Sequence, residues 1–411
     1  MKITLITFMS SFMTPAVMRA THQEILSALE HHFDVTLIDY HDIDHLQNDT
    51  VCVPFIASGG TERLYQQCFT KLPRPYLLLA DGQANSLAAS LEIGAWIRQS
   101  GQRSEILHGD IDTIINRIEL YAHETQALRA MKGKRIGVIG TPSSWLIASD
   151  VDYFIAKQRW GVTYVDISLG HLIDYYNATC AEHYAAEAKH IIQAVSAIRE
   201  GTTFDVQEAL RIYHALTRIV EEERLDALTL SCFSLIEQIG TTGCLGLSLL
   251  NDKGIIAGCE GDLQAVFTML LAKTLTGKDS FMANPSIIDV KHNELLISHC
   301  TIGLNQTRRY LLRSHFESGK GIGIQGILPE GPITLVKCGG QCLDTFFVSD
   351  GTLLENTDHP NMCRTQLRLK LQQPVDYFLH RPIGNHHILI EGHHAQQLQT
   401  IFQMMGCNKI H

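Results

Sequence analysis

Positive charge is scarce in this chain and never concentrated. The longest basic stretch is Lys132-Gly133-Lys134-Arg135, and the formal net charge is -10. That leaves no stripe of Lys and Arg to track a phosphate backbone, which argues against nucleic acid as a partner. No apolar run reaches the roughly 18 residues that a membrane span needs. The apolar start from Met1 to Met13 is interrupted by Thr and Ser and reads as a strand, not a signal peptide. C-x2-C spacing is missing as well. Cys338 and Cys342 lie four apart in a Gly-Gly turn with no second pair to complete a metal clip. The eleven cysteines therefore read as thiols of a reducing compartment, the cytoplasm. There is no internal repeat, and no tract is polar enough to stay disordered: 45% of residues are hydrophobic and 18% charged, so the whole chain should be packed.

At 411 residues the chain is too long for one core, which directs attention to boundaries. Short apolar runs alternate with amphipathic helical stretches. Strands are expected around Ile3 and Leu5, over 35–38, 51–56 and 76–79, with helices around 25–33, from 61, over 85–100 and over 110–131. This is the rhythm of a parallel sheet covered on both faces. Lys132-Gly133-Lys134 ends the last of these helices, and Arg135-Ile136-Gly137-Val138-Ile139-Gly140 starts a second α/β unit. Helices near 182–200 and 204–223 and strands at 227–230 and 255–258 continue that unit. Beyond Pro285 the texture becomes short β segments separated by Gly and Pro, closed by a helix from about His394. The expected fold class is thus α/β: an N-terminal α/β domain (1–132), a second α/β domain (133–285), both Rossmann-like, and a β-rich C-terminal domain (286–411).

Chemistry concentrates in a few places. In Gly258-Cys259-Glu260-Gly261-Asp262 an apolar strand stops and an amphipathic helix begins, which puts Glu260 at a strand's carboxyl end, where open α/β sheets bind their ligands. Ser280-Phe281-Met282-Ala283 reads as the next strand and sets Asn284 at its carboxyl end on the same rim. Two oxygen-bearing side chains there can hold a hard divalent cation, although an acidic residue at such a position also serves as a helix cap. Gly384-Asn385-His386-His387 supplies paired imidazoles before the run Ile388-Leu389-Ile390, and His299 ends another β segment. Each histidine is equally readable as a satisfied polar residue beside a turn.

Five segments in order resemble the L-fucose isomerase and L-arabinose isomerase superfamily, especially its shorter bacterial members. They are Gly140-Thr141-Pro142-Ser143-Ser144-Trp145-Leu146-Ile147-Ala148-Ser149, Cys259-Glu260-Gly261-Asp262, Ser298-His299-Cys300, Arg313-Ser314-His315-Phe316-Glu317-Ser318-Gly319 and Gly384-Asn385-His386-His387. The resemblance implies a metal-dependent ketol-isomerase, two α/β domains before a β-rich third, and a homo-oligomer (trimer or hexamer) with active sites at subunit contacts. It implies that Glu260 both ligates the metal and exchanges a proton with the sugar, that His386 and His299 are ligands, and that a further carboxylate ligand stands where this chain has Asn284. An amide brings neither charge nor acid–base capacity, so metal affinity should fall and a proton-transfer role is left open, for which Asp262 and Asp289 are candidates.

Moving a carbonyl from C1 to C2 through an enediol needs a base beside the carbonyl and a cation to polarise the two oxygens. Mn2+ suits carboxylate, amide and imidazole together. The expected metal ligands are Glu260, Asn284, His386 and His299. Catalytic roles fall to Glu260, Asn284 and Asp262, and substrate contacts to Trp145, His315, Glu317 and His387. Gly321-Ile322-Gly323-Ile324-Gln325-Gly326 matches a dinucleotide fingerprint as text, but Ile327-Leu328-Pro329 after it reads as a turn where a helix is needed. Two other functions stay open on the same scaffold: a sugar-binding protein without turnover, and an enediolate-forming lyase or epimerase.

Overall fold

Strands buried on both faces must be covered on both faces, and the N-terminal unit is built that way. The computed structural model describes residues 1–46, 51–72 and 76–410. Strands β1 (Lys2–Phe8), β2 (Asp34–Asp39), β3 (Val51–Ile56), β4 (Tyr76–Leu79) and β5 (Ser104–Leu107) form a parallel sheet of order β2-β1-β3-β4-β5. Alternation along each strand sorts its side chains. Ile3, Leu5, Val53, Phe55, Leu77 and Leu79 pack against helices Gln23–His32 and Ile111–Met131, whereas Ile6, Phe8, Cys52, Ile56, Tyr76 and Leu78 pack against helix Ser86–Gln99. This unit comprises Met1–Arg129 with Ile401–Gly406.

The second compact unit, Ala130–Thr400 with Cys407–His411, holds the remaining sheets. Strands β6 (Arg135–Ile139) and β7 (Thr163–Ile167) precede β8 (Ala197–Ile198), β9 (Ala227–Leu230) and β10 (Ile256–Cys259). Of these, β6, β7, β9 and β10 make a parallel sheet in the order β10-β9-β6-β7. Then come β11 (Ser280–Asp289), β12 (Glu294–His299), β13 (Arg309–Arg313), β14 (Gly323–Ile327), β15 (Gly331–Gly339), β16 (Thr345–Asn356), β17 (Thr365–Leu371), β18 (His387–Glu391) and β19 (Asn408–Lys409). Seven of them form a sheet in the order β15-β18-β11-β12-β17-β16-β19, and β15 also pairs with β16, so six strands close on themselves. Their core, with Phe281, Ala283, Leu295, Ile297, Leu335, Phe347, Leu367, Leu369 and Leu389, is contiguous with Val206, Ala209 and Leu210 of helix Thr203–Glu223. The protein is mixed α/β, with parallel-sheet domains and a β-rich, barrel-like C-terminal sheet.

Two local expectations change. The strand at Ser280 does not stop at Ala283 but runs to Asp289, because a register shift between Pro285 and Ile287 absorbs the proline. It belongs to the antiparallel barrel and not to the parallel rim, so Asn284 lies inside a strand and not at its carboxyl end. The helix expected over 182–200 is shorter, Ala185–Ala194, and Ala197–Ile198 leave it to pair with β13. The segment after Gly321 has no helix, as expected: Gly323–Ile327 form β14, antiparallel to β13, and residues 328–330 are irregular. No helix among the described residues is long and apolar enough to cross a membrane.

Candidate metal centre

The centre starts with a backbone distortion. β10 ends at Cys259, and the next two residues are both left-handed, Glu260 at φ 62° and Gly261 at φ 71°. Such a conformation is rare for a glutamate and is retained only where the surroundings impose it. Here the Ser143 amide donates to the Glu260 carbonyl (2.9 Å), and the Gly261 amide donates to that of Leu230 (3.1 Å). Asp262 then caps helix Leu263–Thr276 by accepting from the Ala265 amide at 2.7 Å. Gly261 is held by sterics too: a Cβ there would sit 2.6 Å from the Pro142 Cα. Gly261→Ala should therefore cost at least about 2 kcal/mol, left-handed strain alone being worth 1–2 kcal/mol. Urea denaturation checks this, and an unchanged midpoint would mean that the turn relaxes freely.

Three groups converge on this turn. Glu260 Oε1 lies 3.5 Å from His386 Nε2 and 3.9 Å from His299 Nε2. Glu260, His299 and His386 each offer a ligand atom within 4.8 Å of the others, and all three residues are buried. His299 ends β12, and His386 immediately precedes β18. Both strands flank β11, where Asn284 faces Ser298 of β12 and Ala283 faces His387 of β18. Asn284, half-buried, thus occupies the strand between the two imidazole-bearing ones.

The donor set fits a divalent cation. Atoms each about 2.1 Å from a shared ion lie roughly 3.0–4.2 Å apart, which covers both measured separations. His386 Nδ1 donates to Asp262 Oδ2 at 2.9 Å, so its lone pair is on Nε2, and that buried nitrogen makes no hydrogen bond among the described residues. His299 Nδ1 meets Thr301 Oγ1 at 3.1 Å, which likewise leaves Nε2 toward Glu260. Three protein donors leave coordination positions open for a substrate.

The local field favours positive charge. Burial opposes ionisation of Glu260, but His386, His299 and the Trp145 indole outweigh it and hold the carboxyl down at about 2. Burial, reinforced by His386, pushes His299 down to about 3 and keeps its ring neutral. At His386 burial acts in the same sense, yet Asp262 and Glu260 on either side prevail and raise its affinity for a proton. Whatever draws a proton to that nitrogen also draws a metal ion.

The other expected residues divide. Trp145, 50% exposed, donates from Nε1 to Glu260 Oε2 at 2.8 Å and packs edge-on against Phe233 (4.7 Å), which meets His315 at 5.4 Å. Trp145, Phe233 and His315 therefore form an aromatic wall leading away from Glu260. The segment carrying Trp145 is pinned by Gln264, whose amide donates to the Ala148 and Asp150 carbonyls (2.9 and 3.0 Å). His315 is buried and bonded to Ser318 Oγ (3.0 Å), and burial lowers its proton affinity. Glu317 is exposed, and its carboxyl is pushed up by partial desolvation and then by the Glu260 charge. His387 goes elsewhere. It accepts from the Tyr377 hydroxyl (3.1 Å) amid Phe347 and Phe378, and burial pushes its ring down to about 3. Asp262 sits behind His386, wholly buried, and not beside Glu260. Asp289 is bonded to His292 at 2.7 Å near the far end of β11.

Two residues in this region have no counterpart in the sequence reading. Phe233 opens helix Cys232–Ile239 with nothing local to mark it. Lys337 is fully buried on β15, and a lone lysine between Val336 and Cys338 in an apolar strand was the available signal.

No protein-family model matches the chain. It is 23% identical over 191 residues to a sulfoquinovose isomerase of Clostridium sp. (strain MSTE9), a stretch covering 46% of this chain and 42% of that protein. It is also 23% identical over 276 residues to a sulfoquinovose isomerase of Alkalicoccus urumqiensis, covering 62% of this chain and 60% of that protein. The chain spans about half the length of the curated relatives it matches, and both of those relatives are sugar isomerases.

Proposed function

We propose that this protein is a metal-dependent aldose–ketose isomerase, with Mn2+ or a similar divalent ion held by Glu260, His299 and His386 and, more weakly, by the amide oxygen of Asn284. One observation carries the reading: a buried His386 Nε2 with no hydrogen bond among the described residues, oriented by Asp262 and facing a carboxylate and a second imidazole. When bound, the cation would polarise the carbonyl and adjacent hydroxyl oxygens of the sugar as negative charge develops on them.

The two oxygens of Glu260 have separate surroundings. Oε1 faces the imidazoles and is the ligand atom, whereas Oε2 meets the half-exposed Trp145. Oε2 is thus the oxygen placed to take the proton from the carbon beside the carbonyl and return it one carbon away. Trp145 fixes the rotamer of that carboxylate, and its ring, with Phe233 and His315, supplies an apolar wall for the sugar's carbon face. Glu317, whose proton affinity is raised, is assigned to substrate hydroxyls. The three-domain division, a homo-oligomer and a cytoplasmic setting belong to the same proposal. The last is supported by eleven cysteines with no disulfide among the described residues.

The test is turnover of aldoses and ketoses, neutral, phosphorylated and sulfonated, followed by NMR. Sulfonated aldoses come first, given the two relatives. Dialysis against a chelator should abolish conversion and Mn2+ should restore it; conversion indifferent to the chelator would rule out the metal set. Asn284, an amide without acid–base capacity, favours a second reading, sugar binding without turnover. Metal-dependent binding with no ketose from any sugar would select it.

A further inference from the structure

We propose that Lys337 is a positioning residue for His386, acting through Asp262; this rests on the metal-centre reading above. Lys337 lies on β15 with none of its surface exposed, and its Nζ makes no hydrogen bond among the described residues. A buried basic nitrogen is costly unless an anion compensates it. That anion is Asp262, with Oδ2 at 3.6 Å. Oδ2 is also the atom that accepts from His386 Nδ1, while Oδ1 is fixed by the Ala265 amide. The carboxylate is therefore held from both ends, by the helix start on one side and by Lys337 on the other, with the imidazole bonded to the oxygen that Lys337 holds.

Lys337 also lies beside the turn that delivers His386. Gly384 adopts φ 146°, and a Cβ built there would lie 3.7 Å from Lys337 Cε and 3.8 Å from Nζ. One side chain thus pairs with the group that orients the ring and borders the turn two residues before it. If space-filling were its whole role, an apolar residue of similar length would serve as well without burying charge. The remaining use is to keep the Asp262 carboxylate from rotating, and so to keep His386 Nε2 aimed at Glu260 and His299.

The test is Mn2+ binding to the full-length, metal-stripped protein, read from the electron paramagnetic resonance signal of free Mn2+. Wild type, Lys337→Met, Asp262→Asn and the double variant are compared, with the metal-free melting temperature of each recorded. Lys337→Met should weaken binding about 10- to 100-fold, the usual effect of losing a partner behind a metal ligand. In the Asp262→Asn background the same change should alter binding by less than about threefold, because the path through Asp262 is already cut. A loss of equal size in both backgrounds, or none in either, overturns the proposal. If Lys337→Met does not fold, Lys337→Gln takes its place under the same criteria. A wild type that binds no Mn2+ overturns the functional reading itself and this assignment with it, whereas a binding wild type and an unaffected Lys337→Met sink the assignment alone.

Discussion

Glu260→Gln is expected to lower turnover by about a thousandfold or more, since general acid–base catalysis contributes roughly 10²- to 10⁴-fold and this change also removes a charged ligand. The substitution is nearly isosteric, and the Trp145 indole can still donate to the amide oxygen where it now meets Oε2. What disappears is a group able to accept the sugar's proton. Solvent deuterium should therefore no longer enter the carbon-bound positions of the product, as followed by NMR, and circular dichroism should match wild type. The carboxyl is held down at about 2, so it is ionised at any working pH, and loss of function on substitution cannot be mimicked by mild acid. Deuterium exchange persisting at the wild-type rate would mean that another base acts, with Glu317 the next group to replace.

His386→Ala is expected to weaken Mn2+ binding by more than about a hundredfold, because loss of a group that merely orients a ligand already costs 10- to 100-fold. The ring is completely buried, and removing it leaves Asp262 facing a void, so some destabilisation accompanies the loss. The metal-free melting temperature isolates that part. Among the described residues Glu260 then keeps His299, at 3.9 Å, as its imidazole partner. Binding of Mn2+ at wild-type affinity would show that the ion sits elsewhere, and His299→Ala provides the matching control on the opposite strand.

Much of the architecture was legible because burial on both faces writes itself as unbroken apolar runs, as in Val51–Ile56, Tyr76–Leu79 and Arg135–Ile139. Within the two parallel sheets the strands that escaped are β5 and β7, both at sheet edges, where Glu105 and Asp166 face solvent and break the run. Glu260 was readable from the strand-to-helix transition, whereas Asp262, expected to be a catalytic carboxylate, is instead the helix cap. His386 and His299 were readable only as ambiguous imidazoles until several segments were seen together. Asn284 was misplaced because Pro285 looks like a strand terminator, and a bulge is invisible to periodicity. Lys337 is marked locally only as a lone lysine in an apolar strand: its meaning depends on Asp262, 75 residues earlier in the chain, and no local pattern announces that pairing.

The ring of six strands has a consequence for how such a protein can diversify. A sheet without free borders cannot slip by one position in a single strand without breaking ladders on both sides. His386 and His387 are consecutive, one turned to Glu260 and the other sealed among aromatic rings. A one-residue slip of β18 would bring His387 to the place of His386 and Ile388 to that of His387, and so put the wrong ring beside Glu260. On the proposed function, changes in which sugar is accepted should therefore accumulate in the segments around Trp145 and Glu317, which no closed ladder constrains.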